Sequence, residues 1–184
     1  MKQIFFILTL LISLLSFNKV FSQIDDTSMV GLTVGAAENG FGFSLNYNYY
    51  FERNEYLSGD ILLTFSSDRV SEFNIRVPYN AIYLNAGYFN QFYETNRELF
   101  RFSAGAGLSF GYQVINNGSK EIETGALITS DSKFIYGAFI GIDTKLFISY
   151  KYTGMLVLRE FYHINSDIGK FTPYIGLGVT YSLF

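Results

Sequence analysis

The sequence predicts an all-β protein: an eight-stranded antiparallel up-and-down transmembrane β-barrel that follows an N-terminal signal peptide. Three observations lead to this prediction. The first residues have the composition of an export signal, the rest of the chain alternates apolar residues with small or polar ones, and the links between the alternating segments differ regularly in length. We therefore assign residues 1–22 to the signal peptide and residues 23–184 to one outer-membrane β-barrel domain.

The N-terminal segment combines a positive charge, an apolar run and a small residue at the expected cleavage point. Lys2 supplies the charge, residues 4–15 form the apolar run, and Ser22 precedes the expected cleavage before Gln23. The run is too short to cross a hydrocarbon layer of roughly 30 Å comfortably, which disfavours an uncleaved membrane anchor. We expect export and then insertion into a bacterial outer membrane.

The composition favours strands and excludes several kinds of site. Hydrophobic residues make up 49% of the chain and charged residues only 16%, with 20 Phe and 15 Tyr against two Pro. Phe and Tyr favour strands and membrane interfaces. The chain has no Cys, which excludes disulfides and thiolate metal sites. Its formal charge of −3, without a basic stripe, argues against direct sequence-specific nucleic-acid binding.

Alternation between two faces is clearest in two segments. In residues 41–51 the large apolar side chains share one face, and Gly, Ser and Asn share the other. In residues 99–112 the apolar face has aromatic residues at both ends and small aliphatic residues between them, which is typical of a lipid-facing strand. The facing of the seventh strand stays open, because both of its faces carry aliphatic residues. The other six predicted strands are residues 28–35, 56–66, 80–89, 134–146, 154–162 (the seventh) and 171–184.

The links between these strands predict two different rims. Short turns at one rim and long loops at the other are the arrangement of outer-membrane barrels. The alternative is a soluble β-sandwich or a lipocalin-like barrel with its apolar faces inward. The faces that would then meet water carry few Lys or Glu, which disfavours it. Short links are expected near 52–54, 94–97 and 149–152, and longer ones near 67–77, 113–133 and 163–170; the first link, near 38–40, is short but falls at the long-loop rim.

Charged residues on or beside the polar faces are the candidate site residues. A charge inside a narrow barrel needs a partner, because isolated burial is costly, so we expect an ion-pair network that fills the lumen. The adjacent Arg159 and Glu160 are expected to form an ion pair near a rim. A transport pathway is the alternative, which the narrow interior of eight strands disfavours. The candidate lumen or rim charges are Asp60, Arg101, Asp143, Lys145, Arg159 and Glu160.

No pattern in the sequence predicts catalysis, a metal site or a cofactor. The single histidine, His163, lies near Ser166 and Asp167, and some small outer-membrane barrels are lipid hydrolases. Three neighbouring loop residues do not define a catalytic triad, since a triad is a spatial arrangement, and the chain has no G-x-S-x-G motif. We therefore expect His163 to be a solvated rim residue and the protein not to be an enzyme.

Segments spread over residues 80–184 resemble a known family. Residues 100–106, 111–116, 133–138, 156–160, 169–171 and 176–178 follow the order and spacing of the Bacteroides-type conjugative transposon protein TraO family, from which the last strand departs at Thr172-Pro173. The resemblance implies a structural or assembly component of a conjugative DNA-transfer apparatus, related to type IV secretion, at the outer membrane of a Bacteroidetes organism. It implies outer-membrane lipid and other envelope transfer proteins as partners, and it transfers no active-site residue.

Two other functions remain open from the residues alone. One is a general outer-membrane barrel for adhesion or envelope integrity. The other, less favoured, is a lipid-modifying barrel enzyme that would use His163.

Overall fold

The computed structural model describes residues 28–70, 75–95, 99–116, 132–167 and 169–183. The predicted signal peptide, its cleavage site and the terminal Phe184 lie outside these residues. The strands are β1 (Ser28–Ala37), β2 (Gly40–Glu52), β3 (Glu55–Val70), β4 (Ile75–Glu94), β5 (Phe100–Ile115), β6 (Lys133–Phe147), β7 (Tyr152–His163) and β8 (Phe171–Ser182).

The eight strands form one closed antiparallel barrel. Each strand pairs with its neighbours in the chain, and β1 also pairs with β8, so that the sheet closes on itself. The predicted fold class is confirmed. Among the described residues, no helix is long and apolar enough to cross a membrane.

The barrel has an apolar outer wall and a small or polar inner wall. Leu45 and Leu84 on the outer wall are 52% and 61% exposed, whereas their chain neighbours Ser44 and Asn85 are buried in the lumen. This alternation follows from the strand period of two, which sends successive side chains to opposite faces. On the outer wall aromatic side chains lie toward both rims and aliphatic ones between them, as in a lipid-facing band with two aromatic girdles.

The facing of β7, which the sequence left open, is settled by its pairing with β6 and β8. Met155, Val157 and Phe161 are buried in the lumen, and Leu156 and Leu158 lie on the outer wall. Arg159 therefore points inward and Glu160 points outward.

The two rims differ as predicted, with one exception. We call the rim that holds the β2–β3, β4–β5 and β6–β7 links the turn rim, and the opposite one the loop rim. Both ends of the described chain lie at the turn rim, where the Leu183 backbone N–H donates to the Ser28 carbonyl oxygen over 2.8 Å. At the loop rim β1 and β2 are joined by the two-residue turn Glu38-Asn39, in which Asn39 has a φ of 54°.

The exception is the predicted long loop at residues 67–77, which is largely strand. β3 and β4 stay paired up to Val70 and Ile75, whereas β2 pairs with β3 only as far as Ser66 and β5 pairs with β4 only from Tyr79. The extra residues form a two-stranded hairpin beyond the barrel wall. The alternation of β4 in fact continues here, because Ile75, Val77 and Tyr79 are separated by Arg76 and Pro78, so the strand pattern extends into the segment that we assigned to a loop.

Close backbone approach explains the glycines at the seam where the barrel closes. A Cβ atom added to Gly178 of β8 would lie 1.9 Å from the Leu32 carbonyl oxygen of β1, and one added to Gly35 would lie 1.9 Å from the Ile175 carbonyl oxygen. Both contacts are with backbone, which cannot rotate away as a side chain can. The β1–β8 pairing therefore depends on glycine at these positions.

We expect Gly178→Ala to lower the free energy of unfolding by about 1–3 kcal/mol, because the added methyl group overlaps backbone atoms. Gly59→Ala is the matched control, since its added Cβ would meet nothing closer than the Asn85 carbonyl oxygen at 4.0 Å. That control should change stability by no more than about 0.5 kcal/mol. Urea titration of the folded barrel in lipid vesicles, read by gel mobility, measures both; equal losses would contradict the seam constraint.

Candidate functional site

A buried ion pair lies at the centre of the lumen. Arg159 Nη1 donates to Asp143 Oδ1 over 2.5 Å, and the two side chains are 5% and 0% exposed. The Tyr56 hydroxyl donates to the other oxygen, Asp143 Oδ2, over 2.6 Å. Gly141, which is opposite Arg159 in the β6–β7 register, leaves the space that the Arg159 side chain crosses. Both carboxylate oxygens thus have a donor, as a buried carboxylate requires.

Aromatic rings cover the two buried cations. The Arg159 guanidinium carbon lies 4.5 Å from the ring centre of Phe89, and Lys145 Nζ lies 3.9 Å from that of Tyr56. Lys145 also donates to the Tyr50 hydroxyl. The negative faces of the rings supply part of the stabilisation that water would give outside the barrel.

Asp60 belongs to the same inner wall and borders the same space. Its carboxylate accepts a hydrogen bond from Asn85 Nδ2 over 2.8 Å. Asp60 and Arg159 both line a residual cavity of about 10 Å³. A cavity of that size holds at most about one water molecule, and a cluster of buried side chains packs the described lumen around it.

The structure separates the six candidate charges into three groups. Asp60, Asp143, Lys145 and Arg159 lie in the lumen. Arg101 lies at the turn rim, where its Nε atom donates to Glu94 Oε1 over 2.9 Å. The expected Arg159–Glu160 ion pair does not form, because adjacent residues of a strand point to opposite faces and Glu160 is on the outer wall.

His163 is not the solvated rim histidine that the sequence predicted. It is 1% exposed and stacks on Tyr83 and Phe161, with ring centres 5.1 and 5.9 Å away. It shares the inward parity of Arg159 and Phe161, which places it in the lumen at the last residue of β7. Among the described residues, its Nε2 atom has no hydrogen-bond partner.

The neighbours of His163 in the sequence have other partners in space. The Ser166 hydroxyl donates a hydrogen bond to Gln113 Oε1 over 3.3 Å, and Asp167 forms an ion pair with Lys133 over 2.6 Å. Within the described ranges, no group of three or more His, Cys, Asp or Glu side chains is arranged to hold a metal ion.

Sequence reasoning missed the aromatic residues that complete the lumen network. Tyr56 and Phe89 share the inward parity of Asp60 and Asn85, so parity could have identified them as lumen residues. The pairing of Asp143 with Arg159 had no such signal. These residues are diagonal neighbours two positions apart in the β6–β7 register, and that register is known only from the structure.

We compared the chain with protein families, with curated protein sequences and with solved structures. The profile of the family described as conjugative transposon protein TraO matches residues 23–183. No curated protein sequence matches this chain.

Solved structures with a similar fold are outer-membrane β-barrels. Ail, the attachment invasion locus protein of Yersinia pestis, is 14% identical over 87% of this chain and 100% of its own, with a TM-score of 0.56. The N-terminal β-barrel domain of Pseudomonas aeruginosa OprF is 16% identical over 86% and 98%, with a TM-score of 0.57. A major outer-membrane protein of Thermus thermophilus is 9% identical over 85% and 99%, with a TM-score of 0.58. At these identities the similarity concerns the fold alone.

We expect Asp143→Asn to lower the free energy of unfolding by about 3–5 kcal/mol, because it leaves the Arg159 charge buried without its counter-ion. Glu94→Gln is the control: it breaks the partly exposed contact with Arg101 and should cost no more than about 1 kcal/mol. Urea unfolding in lipid vesicles measures both. The double variant Asp143→Asn/Arg159→Met should lose less stability than its two single changes added; strict additivity would show that the pair is not coupled.

The folded barrel should carry no steady ionic current in a planar lipid bilayer. The reason is that aromatic rings and paired charges fill the described lumen. A bilayer without protein gives the baseline. Reproducible single-channel steps above that baseline would show that the lumen opens.

Proposed function

The chain belongs to the conjugative transposon protein TraO family, and on that premise we propose that it is a non-enzymatic outer-membrane component of a conjugative DNA-transfer apparatus, with a structural or assembly role. The observation that supports this most directly is the family match over residues 23–183, which spans the whole barrel domain.

The surface chemistry supports a membrane location. The outer wall of the barrel exposes large apolar side chains from every strand, whereas polar and charged side chains are buried inside. In water such a wall would be an aggregation surface, and in a bilayer it faces lipid at no cost. A closed sheet also satisfies the requirement that each backbone polar group in hydrocarbon has a partner.

The packed lumen favours a role as a component rather than as a conduit. Buried aromatic side chains and a buried ion pair fill the described lumen, which leaves little room for a DNA strand or a protein substrate. The contribution to transfer would then come from surfaces that contact other envelope proteins of the apparatus, and outer-membrane lipid would be the surrounding partner.

We expect an in-frame deletion of the gene in a donor strain to lower the frequency of conjugative transfer, because the apparatus would lack an outer-membrane part. Plating of transconjugants measures the frequency. A wild-type copy in trans should restore transfer, and a copy with an early stop codon should not.

A second measurement distinguishes this role from a general one in adhesion or envelope integrity. Detergent and bile-salt resistance of the donor strain should be unchanged by the deletion. Unchanged transfer would refute the conjugative role, and a parallel loss of transfer and resistance would favour the general envelope role.

A further inference from the structure

The outer wall carries an acidic side chain that the barrel itself does not use. Glu160 points away from the lumen on β7, with Ile140 of β6 and Pro173 of β8 as its register partners. On the same face aromatic residues lie between it and the loop rim, namely Tyr162 on β7 and Phe171 on β8. Glu160 therefore lies below the aromatic girdle, at the level of aliphatic wall.

Glu160 borders a groove in this wall. The groove has a volume of about 460 Å³ and runs across β5 to β8. Ala104 presents only a methyl group there, while the bulkier side chains of Ile140, Ile142 and Leu158 stand beside it. Apart from the Glu160 carboxylate, its outward-facing side chains are apolar: Ala104, Ile140, Ile142, Leu158, Pro173 and Ile175.

The Glu160 carboxylate has no counter-charge within the described structure. The nearest base in the sequence, Arg159, faces the lumen and is bound to Asp143. No described side chain forms a hydrogen bond or an ion pair with Glu160. An ionisable side chain at the lipid-facing level of a membrane protein is costly and marks a functional site, with a partner that supplies the missing charge.

We propose that this groove binds a membrane-embedded segment of another protein, and that an Arg or Lys of that segment pairs with Glu160. Charge complementarity selects this occupant. Acyl chains fit an apolar groove but carry no charge. A second copy of the chain would contact the groove through its own outer wall. Away from the strand ends, the described residues of that wall include no Arg or Lys that could pair with Glu160.

The inference depends on the barrel lying in a membrane, but it does not require the conjugative role. Its test therefore uses purified components in vesicles and not transfer frequency. A failure of the conjugative role would leave this result intact, and the reverse also holds.

The chain has no Trp and no Cys, which makes a fluorescence test clean. Leu177→Cys on β8 places a label beside the groove, and Leu84→Cys on β4 places it on the opposite wall, at side chains that are 64% and 61% exposed. An AEDANS label at either cysteine accepts energy from tryptophan. The probe is a synthetic transmembrane Leu/Ala peptide with one Trp and one Arg, mixed with the barrel in dimyristoyl phosphatidylcholine vesicles; the matched peptide has Leu in place of Arg.

With the Arg peptide, we expect energy transfer to the Leu177→Cys label to be about twofold or more above that to the Leu84→Cys label. The matched Leu peptide should give equal transfer to both labels. Glu160→Gln should reduce transfer at Leu177→Cys to the level at Leu84→Cys, and gel mobility before and after boiling checks that each variant is folded.

Three outcomes would overturn the proposal. The first is equal transfer to both labels with the Arg peptide. The second is a preference that survives Glu160→Gln or that the Leu peptide also shows, which would indicate a groove for any apolar segment or for lipid. The third is energy transfer between two barrels that are both labelled at Leu177→Cys. If it exceeds the transfer between two barrels labelled at Leu84→Cys, a second copy of the chain is the occupant.

Discussion

The ion pair between Asp143 and Arg159 organises the interior of this barrel. A guanidinium group enclosed by eight strands has no water to solvate it, so it must be paired and covered. Asp143 pairs with it and binds Tyr56, Phe89 covers it, and Lys145 lies in turn over the Tyr56 ring. One pair thus fixes side chains from β3, β4, β6 and β7. It also explains why the described lumen is filled although its wall is rich in polar residues.

A filled lumen and a closed sheet leave the surfaces as the places where this chain can interact. The wall of the barrel is closed, so that a partner strand finds no free edge there, and buried side chains fill the described lumen. What remains is the outer wall, the loop rim and the turn rim. In the proposed transfer role, the contribution of this barrel would be contact with neighbouring proteins and not passage of a substrate.

The sequence was sufficient for those features that depend on strand period alone. Alternation located the eight strands and the facing of seven of them, because a side chain's face follows from its position in the strand. It was not sufficient where the answer depends on pairing. Because both faces of β7 carry aliphatic residues, the sequence did not show which face points inward. It therefore did not show that His163 is buried or that Arg159 and Glu160 point in opposite directions. The Asp143–Arg159 contact joins diagonal positions that only the register brings together. The hairpin beyond the wall was assigned to a loop although residues 75–79 continue the alternation of β4.

Arg159 and Glu160 are adjacent in β7 but point to opposite faces of the barrel wall, so their charges are in different environments. The charge of Arg159 is neutralised by Asp143 inside the barrel, whereas Glu160 leaves a charge unneutralised on the outer wall. In a bilayer an apolar groove by itself discriminates poorly, because lipid tails are as apolar as any side chain and burial against a protein brings little hydrophobic gain. A polar or charged contact is what makes a protein segment a better neighbour than lipid. The Glu160 carboxylate therefore supplies the selectivity that the surrounding groove of Ile140, Leu158 and Ile175 cannot supply by its shape.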